Sequence, residues 1–323
     1  MRKTFFFALT LLLIANFIFS LAYGYEIFSL KKIVNLLIQK DIENTDYIVL
    51  TNIRIPRVVS TYIVGAGLVV VGCVLQSIFL NPLCESYTLG ISSAAAIAVV
   101  LSTIFSLPFE RFYSSIIGPF LGVMTIFLLN RIFKRTIDVG FVLAGVVLNF
   151  LFSSVIILLT LFFDPYRLHY ILLWLLGGFS VTEPSYVYIS SLIIGVCIII
   201  VLLLSPQIDV LVLGRDKSTS LGVKEDRLKN ILIILSTVIA TFCVSLAGVI
   251  AFVGIIIPNI VKGFTGLKHS SWILYSALTG ALFISLADNL AKNVIYPIEV
   301  PISVFTGILG SIMFIFHLRW KRF

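Results

Sequence analysis

The sequence predicts an all-α membrane protein of about ten transmembrane helices, and three observations predict it. The 323-residue chain is 59% hydrophobic and only 12% charged, with a mean hydropathy of +1.12. A soluble domain of this length would carry far more polar surface. Apolar segments of roughly 18–25 residues recur along the whole chain, long enough to cross a hydrocarbon core of about 30 Å. Strand-like alternation is absent, so helices rather than a closed barrel must satisfy the backbone in lipid.

The first apolar segment, 5–22, follows Arg2 and Lys3 and precedes Ala22-x-Gly24. That is the outline of a signal peptide. The apolar run is long for one, so it reads as an uncleaved first helix. An outer polar stretch, 23–57, leads through Arg54-Ile55-Pro56-Arg57 into the second span, 58–80. Pro56 disfavours helix at Ile55, which sets both arginines at a stiff helix entry. Gly65, Gly67 and Gly72 are small residues that let helices approach closely, and the span ends in a polar break at Gln76, Asn81, Pro82 and Leu83. Spans 89–108, 113–130, 139–163 and 185–205 follow. The inner stretch 206–229 is too short to fold alone. Its amphipathic pieces around Gly214 and Gly222 predict one or two short surface helices. Spans 229–248, 250–265, 272–291 and 302–318 complete the chain, 250–265 being short and interrupted by Pro258. Residues 65–83 also resemble residues 246–264. The expectation is that these two helices point in opposite directions, as in the inverted repeats of transporters.

Charge sets the orientation. With the N-terminus in the cytoplasm, 15 of the 23 Lys and Arg lie inside and 8 outside, as the positive-inside rule requires. The net charge of +8 is therefore mostly topology, and with no continuous basic face nucleic acid is not an expected partner. Cys73, Cys84, Cys197 and Cys243 show no C-x-x-C spacing and read as buried apolar side chains rather than metal ligands. His169, His269 and His317 are isolated near span ends and read as interfacial residues. There is no P-loop, and Gly65-x-Gly67-x-x-x-x-Gly72 lies inside a span without a preceding strand, so it reads as helix packing. No catalytic, cofactor or metal constellation is predicted.

The few charges near the membrane are therefore informative. Asp288 and Lys292 are spaced i, i+4 and can face each other, as a local ion pair or as part of a surface site. Arg54 and Arg57 stand outside, against the positive-inside bias. They either snorkel to lipid phosphates or recognise carboxylates. Glu85, Glu183 and Glu299 fall near span ends, whereas a self-contained secondary transporter would carry acids at the midplane.

Taken in order, these residues resemble the FecCD-type permeases of the ABC importers for iron–siderophore, haem and vitamin B12. The resemblance covers nearly the whole chain. Its first half is carried by Arg54-x-Pro56-Arg57, Gly65-Ala66-x-Leu68, Gly72-x-x-x-Gln76, Asn81-Pro82-Leu83, Leu89-Gly90, Leu143-Ala144-Gly145 and Trp174-Leu175-x-Gly177-Gly178. Leu213-Gly214 and Leu221-Gly222 continue it, then Ala247-Gly248 through Phe252-Val253-Gly254, Ala287-Asp288-x-x-Ala291 and Glu299-x-Pro301. The chain departs from the family where Asn259 follows Pro258 in place of His, where Lys292 replaces Arg, where Ser303 replaces Gly, and where Cys84-Glu85-Ser86 follows Asn-Pro-Leu.

The resemblance implies a single transmembrane permease domain over 1–323, multi-pass in the inner or plasma membrane, with no cofactor and no catalysis of its own. It implies a homodimer, or a pair with a sister permease, around a central pathway. ABC ATPase subunits would dock on the cytoplasmic segment 206–229 through Leu213, Gly214, Leu221 and Gly222. A substrate-binding protein would dock outside on Arg54, Arg57 and Lys292. Gly65, Gly67, Gly72, Gln76, Asn81, Pro82, Gly248, Gly254 and Pro258 would serve helix packing or the pathway. The implied cargo is a ferric siderophore, haem or cobalamin, with an oxyanion such as molybdate or tungstate as the alternative.

Overall fold

The computed structural model describes residues 2–24, 26–105, 111–132, 137–161, 165–179, 183–266, 268–295 and 299–320. Its helices are α1 (Arg2–Ala22), α2 (Leu30–Gln39), α3 (Thr45–Ile48), α4 (Ile55–Ile78), α5 (Ile91–Ile104), α6 (Arg111–Ile132) and α7 (Ile137–Thr160). They continue as α8 (Pro165–Leu175), α9 (Pro184–Leu211), α10 (Arg215–Ser220), α11 (Glu225–Ala247), α12 (Val253–Thr265), α13 (His269–Asn293) and α14 (Ile302–Trp320).

Among the described residues, six helical segments are long and apolar enough to span: Thr45–Ile78, Phe112–Leu129, Gly140–Thr160, Pro184–Leu211, Glu225–Ala247 and His269–Asn293. Phe6–Ala22, Ile91–Ile104, Val253–Thr265 and Ile302–Met313 are apolar but shorter. Each falls on one of the ten sequence spans. The 13 residues of α12 rise only about 20 Å, too little to cross the hydrocarbon core unaided.

The core is built around α4, which packs against α9, α11, α12 and α13. Val64, Val69, Val70, Val71, Val74 and Leu75 are fully buried, as suits a helix apolar on every side. The flanks of α7 and α9 instead turn large apolar side chains outward, with Phe150 73% and Leu203 74% exposed, as lipid-facing helices should. α1 is fastened to this core by polar groups. Asn16 donates to Tyr62 Oη at 3.0 Å and to Ser285 Oγ at 2.7 Å, and Asn289 donates to Ser20 Oγ at 2.7 Å. Hydrogen bonds of this kind hold helices together where lipid offers no hydrophobic drive.

Two sequence expectations are corrected here. The second span does not begin beside Pro56, because helix runs on from Thr45 to Ile78. Pro56 has no N–H for the carbonyl of Asn52, and the turn Val49–Arg54 widens to π geometry, with Ile55 N–H reaching Leu50 O. Ile55 thereby keeps helical angles. The two look-alike stretches also do not run in opposite directions. Gly254 lies against Leu68 and Gly72, and Asn259 against Pro82, so both stretches advance in the same sense. The first is continuous helix nearly to its end, whereas the second breaks between Ala247 and Val253.

Candidate functional site

At the outer end of α4 the predicted cations are gathered, but each has a partner within the chain. Arg57 forms a fork with Asp288 of α13, with Nη2 2.9 Å from Oδ1 and Nε 3.2 Å from both carboxylate oxygens. Its other edge meets Glu299, Nη1 to Oε1 at 2.8 Å and Nη2 to Oε2 at 3.0 Å. Lys292 Nζ lies 2.9 Å from Asp288 Oδ2, the local i, i+4 pair that the spacing allowed. Two cations and two carboxylates thus form a compact cluster in which Asp288 is buried. Planar guanidinium suits this double clamp as ammonium would not.

Arg54 does something else. Its Nη1 donates to the carbonyls of Leu21 and Ala22, Nη2 donates to the carbonyl of Glu26, and the guanidinium lies 3.8 Å from the centroid of the Phe28 ring. It therefore closes the C-terminal end of α1, where carbonyls lack helical donors and the dipole favours a cation. Beside these residues is an outward-opening cavity of about 480 Å³, lined among others by Tyr23, Glu26, Asp46, Arg54, Arg57 and Lys292.

From the middle of α4 to its far end the predicted packing residues meet neighbouring helices closely. A Cβ at Gly72 would collide with the Gly254 carbonyl, and one at Gly65 with the Gly280 carbonyl. Gly67 faces Cys243 and Ile239 of α11. Pro258 lacks the N–H that would serve the Gly254 carbonyl within α12. Gln76 Nε2 takes that place at 3.0 Å. Asn81 turns the chain after α4 by accepting from Leu83 N–H at 3.0 Å, and the Pro82 carbonyl accepts from Asn259 at 3.0 Å.

The break between α11 and α12 is held from three sides. Gly248 has φ +65°, where a Cβ would strike the Trp174 carbonyl. The Ala247 carbonyl accepts from Gly178 N–H, and the Val249 carbonyl accepts from Ser303 Oγ at 2.7 Å. Phe252 has φ +71°, uncommon for a non-glycine residue, and its N–H faces Glu85 Oε1 at 3.5 Å. Glu85 is 7% exposed, and burial pushes its carboxyl up to about 7 although the Phe252 N–H pulls the other way. Sequence reasoning missed this residue, because its position near a span end gave no sign that the loop folds back against α12.

At the end of the helix bundle away from the Arg57 cluster, α10 projects between the ends of α9 and α11. Gly214 and Gly222 flank it at φ +95° and +81°, with nothing within 4 Å of a Cβ at either, and Leu213 and Leu221 are exposed. Arg215 and Asp226 pair loosely at 3.3 Å, both well exposed. A shallow cavity of about 470 Å³ adjoins them. His269, read from sequence as an interfacial residue, is instead buried between Asp209 and Ser77. The side chain of His317 lies outside the described residues.

Residues 12–320 match the model of the FecCD transport family. The chain is 34% identical over 279 residues to the hemin transport system permease protein HmuU of Yersinia pestis, covering 84% of this chain and 83% of that protein. It is 32% identical over 314 residues to the molybdate import system permease protein MolB of Haemophilus influenzae, covering 95% and 93%. Among solved structures, one described as an inward-facing conformation of a metal-chelate type ABC transporter superposes with a TM-score of 0.85 at 30% identity, covering 99% of this chain and 100% of that one.

Proposed function

The chain belongs to the FecCD transport family as a multi-pass membrane permease of the ABC-importer type, and from that premise we propose its cargo and its working assembly. It carries a metal chelate (ferric siderophore, haem or cobalamin) from an extracytoplasmic substrate-binding protein to the cytoplasm. Separate ABC ATPase subunits supply the energy. The observation that carries the cargo reading is likeness over most of the chain, at 30% identity or better, to a hemin permease and to a structure described as metal-chelate type. An oxyanion is the second reading, favoured by the comparable likeness to MolB.

The pathway runs between two copies of the permease. Supporting this, the glycine contacts around α4 leave no room for a large chelate inside one copy. The ATPase docks on 206–229. Supporting that, Leu213 and Leu221 offer exposed apolar side chains on either side of a short projecting helix, and Gly214 and Gly222 set its angle through backbone conformations that other residues adopt at a cost. The binding protein docks over Arg54, Arg57 and Lys292. Their charge is largely spent within the chain, so the dock works through the shape and rim of the 480 Å³ cavity more than through free cations.

The test is ATP hydrolysis by permease, ATPase and binding protein together in nanodiscs, with haem, a ferric hydroxamate, cobalamin and molybdate each supplied in turn. Stimulation by a chelate is expected. Stimulation by molybdate alone would move the cargo to the oxyanion class. Equal stimulation without the binding protein would overturn the assembly.

A further inference from the structure

One buried side chain ties the cytoplasmic arm of α9 to the inner ends of α4 and α13. His269 is the first residue of α13, and it lies between Asp209 on α9 and Ser77 on α4. Its backbone N–H donates to Asp209 Oδ1 at 3.0 Å, and its Nδ1 lies 2.6 Å from the same oxygen. On the other side of the ring, Nε2 lies 3.0 Å from Ser77 Oγ. The Trp272 ring packs edge-on against the imidazole at 5.4 Å and donates its own N–H to the Pro258 carbonyl of α12 at 2.8 Å. Four helices therefore meet at this histidine or at the ring beside it.

The proton inventory shows which contact is firm. An ionised carboxylate only accepts, so Nδ1 carries a hydrogen toward Asp209. Ser77 has one hydroxyl hydrogen, which is donated to the Cys73 carbonyl at 2.7 Å. A ring protonated on both nitrogens satisfies every contact at once. A ring protonated on Nδ1 alone makes Ser77 choose between Cys73 and His269. The bond to Asp209 holds in either case.

Asp209 stands near the end of α9, a continuous helix from Pro184 to Leu211, and α10 begins only four residues beyond that end. On α4, Ser77 is adjacent to Gln76, which holds the Gly254 carbonyl at the start of α12. Apolar contacts between helices can slide, whereas a pair of directional hydrogen bonds fixes one register. We propose that His269 is a positioning residue for energy coupling, making the α9–α10 arm and the inner end of α4 move as one body when the ATPase closes. This rests on the reading that the ATPase docks on 206–229.

The experiment uses the permease–ATPase complex in nanodiscs, with spin labels at Leu203→Cys on α9, outside the docking segment, and at Leu80→Cys, both exposed. The four native cysteines are buried and poorly placed to react. The distance between the labels is measured without nucleotide and after trapping with ATP and vanadate. In otherwise wild-type protein it should stay constant. In His269→Phe it should change on trapping by more than about 2 Å, the scale of a helix shift. Asp209→Ala should give the same change, the double variant no more, and His269→Gln should restore part of the constancy. Should His269→Phe fail to fold, the half-exposed Asp209 site still provides the test. A constant distance in both variants, or a change of equal size in the wild type, overturns the proposal. Co-purification of Gly222→Trp with the ATPase is scored separately. Undiminished binding there would defeat the docking reading, while the label distances judge His269.

Discussion

The two ends of α4 are anchored by different chemistry. At the outer end Arg57 is clamped by Asp288 and Glu299, with Lys292 completing a buried ionic cluster. At the inner end the ties are amide and hydroxyl groups, Gln76 to the Gly254 carbonyl and Ser77 to His269. An ionic cluster of this kind tolerates no missing member, because a buried charge left alone is expensive. A net hydrogen bond is worth about 1 kcal/mol, so the inner end is held by several small directional ties rather than by one large electrostatic term. The outer end is thus fixed by charge and the inner end by hydrogen-bond register.

The largest expected effect tests the outer anchor. Arg57→Ala leaves Asp288 buried with Lys292 alone and should cost about 3–5 kcal/mol of stability. Replacing Arg57, Asp288 and Lys292 together by Met, Leu and Met, which leaves only the more exposed Glu299, should recover most of that loss. Reversible unfolding in mixed micelles would measure both. A loss below about 1 kcal/mol, the scale of exposed pairs, would remove the contrast between the ends.

Next is Glu85 at the break. Its folded value of about 7 lies above its ordinary 4.5, so folding takes up a proton between the two. Stability should therefore fall as pH rises from 4.5 through 7 and then level off. Above that range the buried charge costs on the order of 3 kcal/mol, since each pKa unit is worth about 1.4. Glu85→Gln should stabilise the protein by that order at alkaline pH and hardly at all at acid pH. Thermal unfolding at the two extremes decides it, and an equal gain at both would rule out titration of this carboxyl.

The inner anchor should be milder. Gln76→Leu strips the donor from the Gly254 carbonyl and should cost about 1–2 kcal/mol, the penalty for an orphaned buried acceptor. Hydrogen exchange at the start of α12 should rise in that variant while α13 near Asp288 stays protected. Equal loosening at both places would mean the ends are not independent.

The smallest effect is at the surface. Lys32 and Asp46 lie 2.7 Å apart but are more than a third exposed, and Lys32→Ala should cost under about 1 kcal/mol, less at high salt. A larger loss would show that the α2–α3 region, not the Arg57 cluster, governs the outer face.

The sequence by itself determined the membrane class and the ten apolar segments, and its spacing allowed the Asp288–Lys292 pair. All of these are set within one helix or by composition, because hydrophobic length and i, i+4 spacing are local properties. The glycines of α4 were legible as packing residues, but not which backbone each would meet. Only the tertiary structure decided that Arg57 faces Asp288 across 231 residues, that Gln76 serves Gly254 across 178, and that His269 joins Asp209 to Ser77. It also decided that α4 and α12 run parallel. The physical reason is that lipid-facing and protein-facing sides of a spanning helix are both apolar, so periodicity does not reveal which helices will touch. The partner of each scarce polar group is fixed only when the helices pack and a missing donor, such as the N–H that Pro258 lacks, has to be supplied by a distant side chain.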